Sequence, residues 1–344
     1  MKQYESDNTA YSRDTFQCLK GYLAICILVH HLYQFGVFLS GSTLGYPFLL
    51  LGHWGVVIFM FMSGFGLFSS YLSKGDTYIK SFFRARLLPF YVTYLFFVAL
   101  YTCFELINGK EITASEILHS LTYGGTIISF GWYLQLTLLM YLLFYILKLI
   151  FRNEGAFIYA LCISVLIFLI INFCLSSQKN VYEPSFAFVL GVIFAGRNYH
   201  MPVLFSQKPV PFAVIGLLSF LAITLVTTLI VFRYSDVLES NILADLLYLL
   251  LMMVADLSLV IFVLTFNVIA NRSFSKVIVN PVSRFLGKYS LEIYALQGLF
   301  LRLLNNKISN RAVYAAVAVS CIILFSIPVH MFLSSVKKAL SKKA

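Results

Sequence analysis

Charge is what this sequence has least of. Only 11% of its 344 residues are Asp, Glu, Lys or Arg, against 60% hydrophobic, whereas a soluble domain devotes about one-quarter of its residues to charge. A water-facing surface cannot be built from that supply, which excludes a sizeable soluble domain. Cysteine supplies no framework either: Cys18, Cys26, Cys103, Cys162, Cys174 and Cys321 lie in or beside apolar runs, with no CxxC pair and no metal-ligand spacing. They read as small core hydrophobes, and no metal is expected. A Walker-type glycine loop, a tandem repeat and low-complexity sequence are also missing, apart from a basic tail of Lys337, Lys338, Lys342 and Lys343. The formal net charge of +11 is spread over many short polar breaks instead of one basic domain, which argues against a nucleic-acid partner and for membrane topology.

What the chain does have is apolar runs. Crossing hydrocarbon takes about 20 mostly apolar residues, and such runs recur from Phe16 to Ser334. They predict an all-α, polytopic transmembrane helical bundle of about ten spans, at 16–38, 52–72, 86–107, 131–151, 156–174, 183–197, 210–232, 243–269, 286–304 and 311–334. Turn-forming residues mark the breaks: Gly41 and Gly45 with Pro47, Ser73 with Gly75, Asn108 with Lys110, Asn153 with Gly155, Ser176 with Asn180, Pro202 with Pro209 and Pro211, and Asn280 with Pro281. The sixth segment is short and opens with Glu183 and Pro184, so it is expected to be tilted, interfacial or partly unwound. The first apolar run is longer than a signal-peptide core and lacks a small-residue cleavage site, so it is expected to remain as the first span.

Placing the N-terminus in the cytoplasm puts 19 of the 25 Lys and Arg on inner segments and 6 on outer ones. That asymmetry is what the positive-inside rule requires of an even number of spans with both termini cytoplasmic. The exception is the last outer loop, with Arg302, Lys307 and Arg311. The expected organisation is a cytoplasmic segment 1–15, a transmembrane domain 16–334 and a basic cytoplasmic tail 335–344, in a multi-pass protein whose partner is the lipid bilayer.

Ionisable residues within spans are costly in lipid, which makes each a functional candidate. In LKGYLAICILVHH, Lys20 and His31 are eleven residues apart, within about 20° of the same helical face and about 16 Å apart along the axis. Gln34 continues that stripe, while His30 points away. A neutral buried imidazole can take a proton from a hydroxyl; the simpler reading is a polar residue bonded to a neighbouring helix. In IKSFFRARLLPFY, Lys80, Arg84 and Arg86 stand at the start of the third span, with Pro89 just inside. Such groups can clamp phosphate oxygens, although positive-inside residues and binders of anionic lipid headgroups have the same appearance. Asp256 is central in the eighth span, where it could orient the His31 ring as a carboxylate partner; a structural hydrogen bond or an ion pair would also account for it. Glu292 stands one turn from Lys288, and a local ion pair is the expectation. Trp132 and Tyr133 read as interface anchors or core, Gly64 and Gly66 as sites of close helix packing, and His53, His119, His200 and His330 as loop or interface residues.

With these segments in order, the chain resembles the membrane-bound acyltransferase-3 family, whose members transfer acyl groups to extracytoplasmic carbohydrates and related acceptors. The likeness runs over nearly the whole chain: FQCLKGYLAICILVHHLYQF, GHWGVVIFMFMSGFGLF, SFFRARLLPFY, GWYLQLTLLMYLLFYI, YEPSFAFVLGVIFAGR and LGKYSLEIYALQGLF. The resemblance places the family's basic residue, ten intervening positions and histidine on Lys20 and His31, where arginine is the more usual first residue. It places the family's basic cluster on Lys80, Arg84 and Arg86, whose spacing only partly matches two arginines separated by three residues. Gln297 stands where a histidine often follows the YSLEIYAL-like stretch, so a second catalytic histidine is missing. A soluble esterase-like domain after the last span, such as some members carry, is not expected, nor is relay of the acyl group to one.

The resemblance implies a membrane-bound O-acyltransferase of the cell envelope, in a bacterial inner or plasma membrane. The donor would be a cytoplasmic acyl-CoA, acetyl-CoA first, bound through Lys20, Lys80, Arg84 and Arg86. The acceptor would be a hydroxyl of a cell-surface polysaccharide or lipid-linked glycan. His31 would act as general base or transient acyl carrier; Asp256, from its depth in the eighth span and not from the resemblance, is the candidate catalytic partner. The rival is a transporter or flippase for a lipid-linked or small anionic solute, with His31 and Asp256 as a proton relay. A non-catalytic membrane sensor or scaffold is the third reading.

Overall fold

The computed structural model describes residues 11–39, 45–122, 125–175, 178–196 and 201–342. The first ten residues, the glycine break at 41–44, Ser176, His200 and Lys343 lie outside them. The chain is 88% helical, with no strand among the described residues. In order the helices are α1 (Arg13–Gln34), α2 (Tyr46–Lys74), α3 (Asp76–Phe82), α4 (Leu88–Ile107), α5 (Ala114–Leu121), α6 (Trp132–Ile150), α7 (Glu154–Cys174), α8 (Lys179–Tyr182), α9 (Ser185–Gly196), α10 (Met201–Gln207), α11 (Pro209–Ser240), α12 (Ile242–Ile278), α13 (Pro281–Lys288), α14 (Ser290–Asn305) and α15 (Arg311–Lys342).

A helix lies at each of the ten expected spans. Eight stretches among the described residues are long and apolar enough to cross a membrane. The sixth expected span, α9, has 12 residues, and the ninth, α14, has 16 and buries Glu292 and Gln297. Both fall short of the roughly 20 residues a full crossing needs. Their outward counterparts show the bilayer pattern: Ile163, Leu166, Ile167, Ile170 and Ile171 on α7, and Ile215, Leu218, Leu221, Leu225 and Leu229 on α11, are all exposed. In water such continuous apolar faces would be an aggregation hazard; against lipid they are the stable arrangement. This is a multi-pass membrane protein.

The chain divides into two compact units. One comprises Met1–Leu19, Val57–Leu72 and Cys162–Ser283, the other Lys20–Val56, Ser73–Leu161 and Arg284–Ala344. In the first unit, α11 and α12 form a hairpin joined by Asn241, whose side chain caps α12 by accepting from the N–H groups of Leu243 (3.0 Å) and Ala244 (3.2 Å). Both helices leave helical geometry near their expected ends, α11 at Tyr234 and α12 at Phe274. Glycine brings other backbones together: a Cβ at Gly64 would collide with the Phe188 carbonyl, and one at Gly191 with the Phe61 carbonyl. Gly64 therefore packs as expected. Gly66 does not, since a Cβ there would meet nothing within 4 Å. The cysteines are free, and only Cys18 is fully buried.

In the second unit, α4 packs against α6, α14 and α15, and α14 against α15. Tyr101 of α4 donates to the Ala295 carbonyl of α14 (3.0 Å), and Tyr314 of α15 to the Leu301 carbonyl (2.9 Å). Between α3 and α4 the five residues Phe83–Leu87 form a π-turn, in which the Leu88 N–H reaches five residues back to the Phe83 carbonyl. Pro89 explains it: without an N–H, it leaves a carbonyl of the preceding turn unpaired, and the wider turn absorbs the mismatch.

Candidate active site

His31 lies one turn from the end of α1 and is 5% exposed. Its Nδ1 is 2.8 Å from the side-chain amide oxygen Oε1 of Gln34, three residues on and so on the same helical face. That oxygen can only accept, so Nδ1 carries the hydrogen and Nε2 presents a lone pair. Gln34 is thus the partner that holds the ring at Nδ1. His30 stands edge-on to His31 at 4.7 Å, and its own Nδ1 donates to the Phe48 carbonyl (3.2 Å). Gly52 leaves room for it, because a Cβ at that position would lie 2.5 Å from the His30 ring.

The other face of the imidazole carries Phe130. The rings are stacked with centroids 3.7 Å apart and planes 23° from parallel. Phe130 is held in a left-handed backbone conformation, φ +63°, and its carbonyl accepts a hydrogen bond from the Tyr294 hydroxyl of α14. The segment leading to it is pinned by side chains. The Gln135 amide donates to the carbonyls of His119 (3.3 Å), Thr122 (3.3 Å) and Gly125 (2.5 Å), and the Ile127 N–H donates to the Ser120 hydroxyl (2.8 Å). Buried side chains thereby satisfy irregular backbone, the condition for such a segment inside a membrane protein.

Ser129 extends the arrangement. Its hydroxyl accepts from Arg302 Nη1 (3.0 Å), which also pairs with the buried Glu105 carboxylate. Glu105 ends α4, and the basic cluster begins it. Lys80 lies in the last turn of α3, and Arg84 and Arg86 lie in the π-turn. All three are exposed, and none makes an ion pair or hydrogen bond among the described residues. The two ends of α4, which has 20 residues, are about 30 Å apart at 1.5 Å per residue. Lys20 stands half-buried on α1, on the side of His31 away from Gln34.

A family model for an acyltransferase domain matches residues 13–333. The chain belongs to the acyltransferase-3 family. No curated protein and no solved structure matches it. In this acyltransferase the remaining expected residues fall as follows. Asp256 is 2% exposed, and one of its carboxylate oxygens lies within 4.8 Å of a carboxylate oxygen of the equally buried Glu183. Glu292 does not pair with Lys288. Its carboxylate accepts from His330 Nδ1 of α15 at 3.0 Å, while Lys288 lies over the Tyr289 ring at 5.1 Å. A buried carboxylate is better compensated by a partner that comes into the interior than by a lysine whose head can reach water. His330 is accordingly a half-buried helix residue that partners Glu292, and not a loop residue. Gln297 is fully buried, and its amide makes no hydrogen bond among the described residues.

Phe130, Tyr294, Ser129, Glu105 and Arg302 are the site residues that sequence reading missed. Arg302 alone had left a trace, as an exception to the charge asymmetry of the loops.

Proposed function

We propose that this acyltransferase moves an acyl group, acetyl first, from cytoplasmic acyl-CoA to a hydroxyl of a cell-surface carbohydrate or lipid-linked glycan, with His31 as general base. The observation that carries this reading is the hydrogen bond from His31 Nδ1 to Gln34, which leaves Nε2 as the proton acceptor in a family of acyltransferases. Nε2 takes the proton of the acceptor hydroxyl as its oxygen attacks the thioester carbonyl. The C–O bond forms, the C–S bond breaks, and the imidazolium returns the proton to the departing CoA thiolate. Lys80, Arg84 and Arg86 fit the donor's phosphates: they are cations at the head of a helix with no partner of their own among the described residues. The pantetheine arm then runs between helices toward His31, past Lys20.

The test is purified wild type and His31→Ala with labelled acetyl-CoA and a glycan acceptor. Transfer by the wild type and its loss in the variant, at equal protein levels, is expected; undiminished transfer by His31→Ala would overturn the assignment. A labelled acyl-histidine trapped by acid quench would replace the general base with a covalent carrier at the same nitrogen.

A further inference from the structure

The Glu105–Arg302–Ser129 group lies beside the candidate catalytic ring and has no task in the chemistry above. Arg302 Nη1 is committed to Glu105 and Ser129. Its Nη2 and Nε donors make no hydrogen bond among the described residues, and 39% of the side chain is exposed. That leaves one edge of a planar fork free, which is the shape that binds a carboxylate or phosphate through two parallel hydrogen bonds. The fork is aimed, not loose. The buried Glu105 carboxylate holds it on one side, Ser129 on the next, and the Phe104 ring lies 5.5 Å from the guanidinium carbon. Ser129 is joined directly to Phe130, so a ligand on Arg302 would touch the segment that covers His31.

The surroundings favour an anion. Glu105 neutralises Arg302 itself, but Lys307 and Arg311 lie exposed just beyond α14, and no Asp or Glu occurs after Glu292. On the connection after α4, Lys110 and Glu116 pair at 3.2 Å, which leaves Glu111 against two cations. Those cations draw the ligand in, and the Arg302 fork fixes its register.

We propose that Arg302, aimed by Glu105 and Ser129, is an acceptor subsite for an oxyanion, so that the glycan acylated here is acidic, carrying a carboxylate or a phosphate near the modified hydroxyl. The proposal rests on the transfer reaction above, and its test is arranged so that the two can fail separately. Glucuronic acid, glucose 1-phosphate and glucose are titrated against the wild type in phosphatidylcholine nanodiscs. At least one acidic sugar is expected to bind ten or more times as tightly as glucose, more weakly as salt is raised, and which of the two it is separates carboxylate from phosphate. Arg302→Gln is expected to bring the preference to within twofold. Arg302→Lys keeps the charge but loses the fork and should forfeit most of it. Equal binding of all three sugars by the wild type overturns the proposal without need of a variant. An acidic preference that survives Arg302→Gln overturns the assignment to Arg302. Binding of phosphatidylglycerol but of neither acidic sugar gives the site to lipid and also overturns it. Hydrolysis of acetyl-CoA without acceptor is measured in the same wild-type preparations. Its absence in the wild type would count against the transfer reaction and not against this subsite.

Discussion

Phe130 lies flat against the His31 imidazole, 3.7 Å between centroids, from a backbone with φ +63°. A left-handed conformation costs a bulky residue about 1–3 kcal/mol, and here it is over-determined by the Tyr294 hydroxyl on the Phe130 carbonyl and by the Gln135 amide behind it. Phe130→Gly keeps the backbone and deletes the ring. Since a misplacement of about 1 Å can cost roughly a hundredfold in rate, kcat is expected to fall by about ten- to a hundredfold, with KM for acetyl-CoA nearly unchanged and Phe130→Tyr restoring most of the loss. Steady-state kinetics of the three proteins decide it; wild-type kcat in Phe130→Gly would make the stack incidental.

Gln34 accepts the hydrogen of His31 Nδ1. Gln34→Leu removes that acceptor and frees the ring to rotate or change tautomer, while Gln34→Glu keeps an acceptor in place. Transfer is expected to drop by about ten- to a hundredfold in the leucine variant, within the range a positioned base contributes, and much less in the glutamate variant. Equal activity of the two would show that the ring needs no partner at Nδ1.

For the donor end, the proposed phosphate contacts imply that Arg84→Ala and Arg86→Ala would each remove a charge-assisted interaction worth about 1.5–3 kcal/mol. Each should raise Kd for acetyl-CoA about tenfold or more. Acetylated pantetheine, which has no phosphate, provides the control: its use should be indifferent to both changes. Equal damage with both donors would point to disturbance of the π-turn and not to lost phosphate contacts.

Two glycines two residues apart on α2 should behave oppositely. A Cβ on Gly64 would collide with the Phe188 carbonyl, whereas one on Gly66 meets nothing within 4 Å. Gly64→Ala is expected to destabilise by about 1–3 kcal/mol through overpacking, and Gly66→Ala to be neutral or stabilising by up to about 1 kcal/mol through helix propensity. Thermal unfolding in detergent, read as the change in midpoint, separates the two.

His330→Leu removes the partner of the buried Glu292 carboxylate. Stranding a buried carboxylate costs about 3–5 kcal/mol, so this variant should lose far more stability than the double change Glu292→Leu with His330→Leu. A double variant as unstable as the single would mean the pair contributes through shape alone.

How much of this was legible follows from the range of each interaction. Apolar runs are local, and a helix lies at each expected span, although α9 and α14 are shorter than a crossing needs. The Lys20, His31 and Gln34 stripe is also local, and Gln34 proved to be the imidazole's partner. Pro89 was visible, but not the π-turn it sets up in Phe83–Leu87. Phe130 lies 99 positions from His31, and Arg302 lies 197 from Glu105; no periodicity carries such pairings. Glu292 shows the opposite failure, a plausible neighbour at Lys288 masking a better partner brought from α15.

The clamp of Gln135 on the carbonyls of His119, Thr122 and Gly125 has one more consequence. With its start held by that amide and its far end tied to Tyr294, the segment between Gly125 and Phe130 works as a ruler whose length is read in residues. One residue inserted there would carry Phe130 off the imidazole and Ser129 off Arg302 together, so this short stretch should tolerate changes of side chain far better than any change of length.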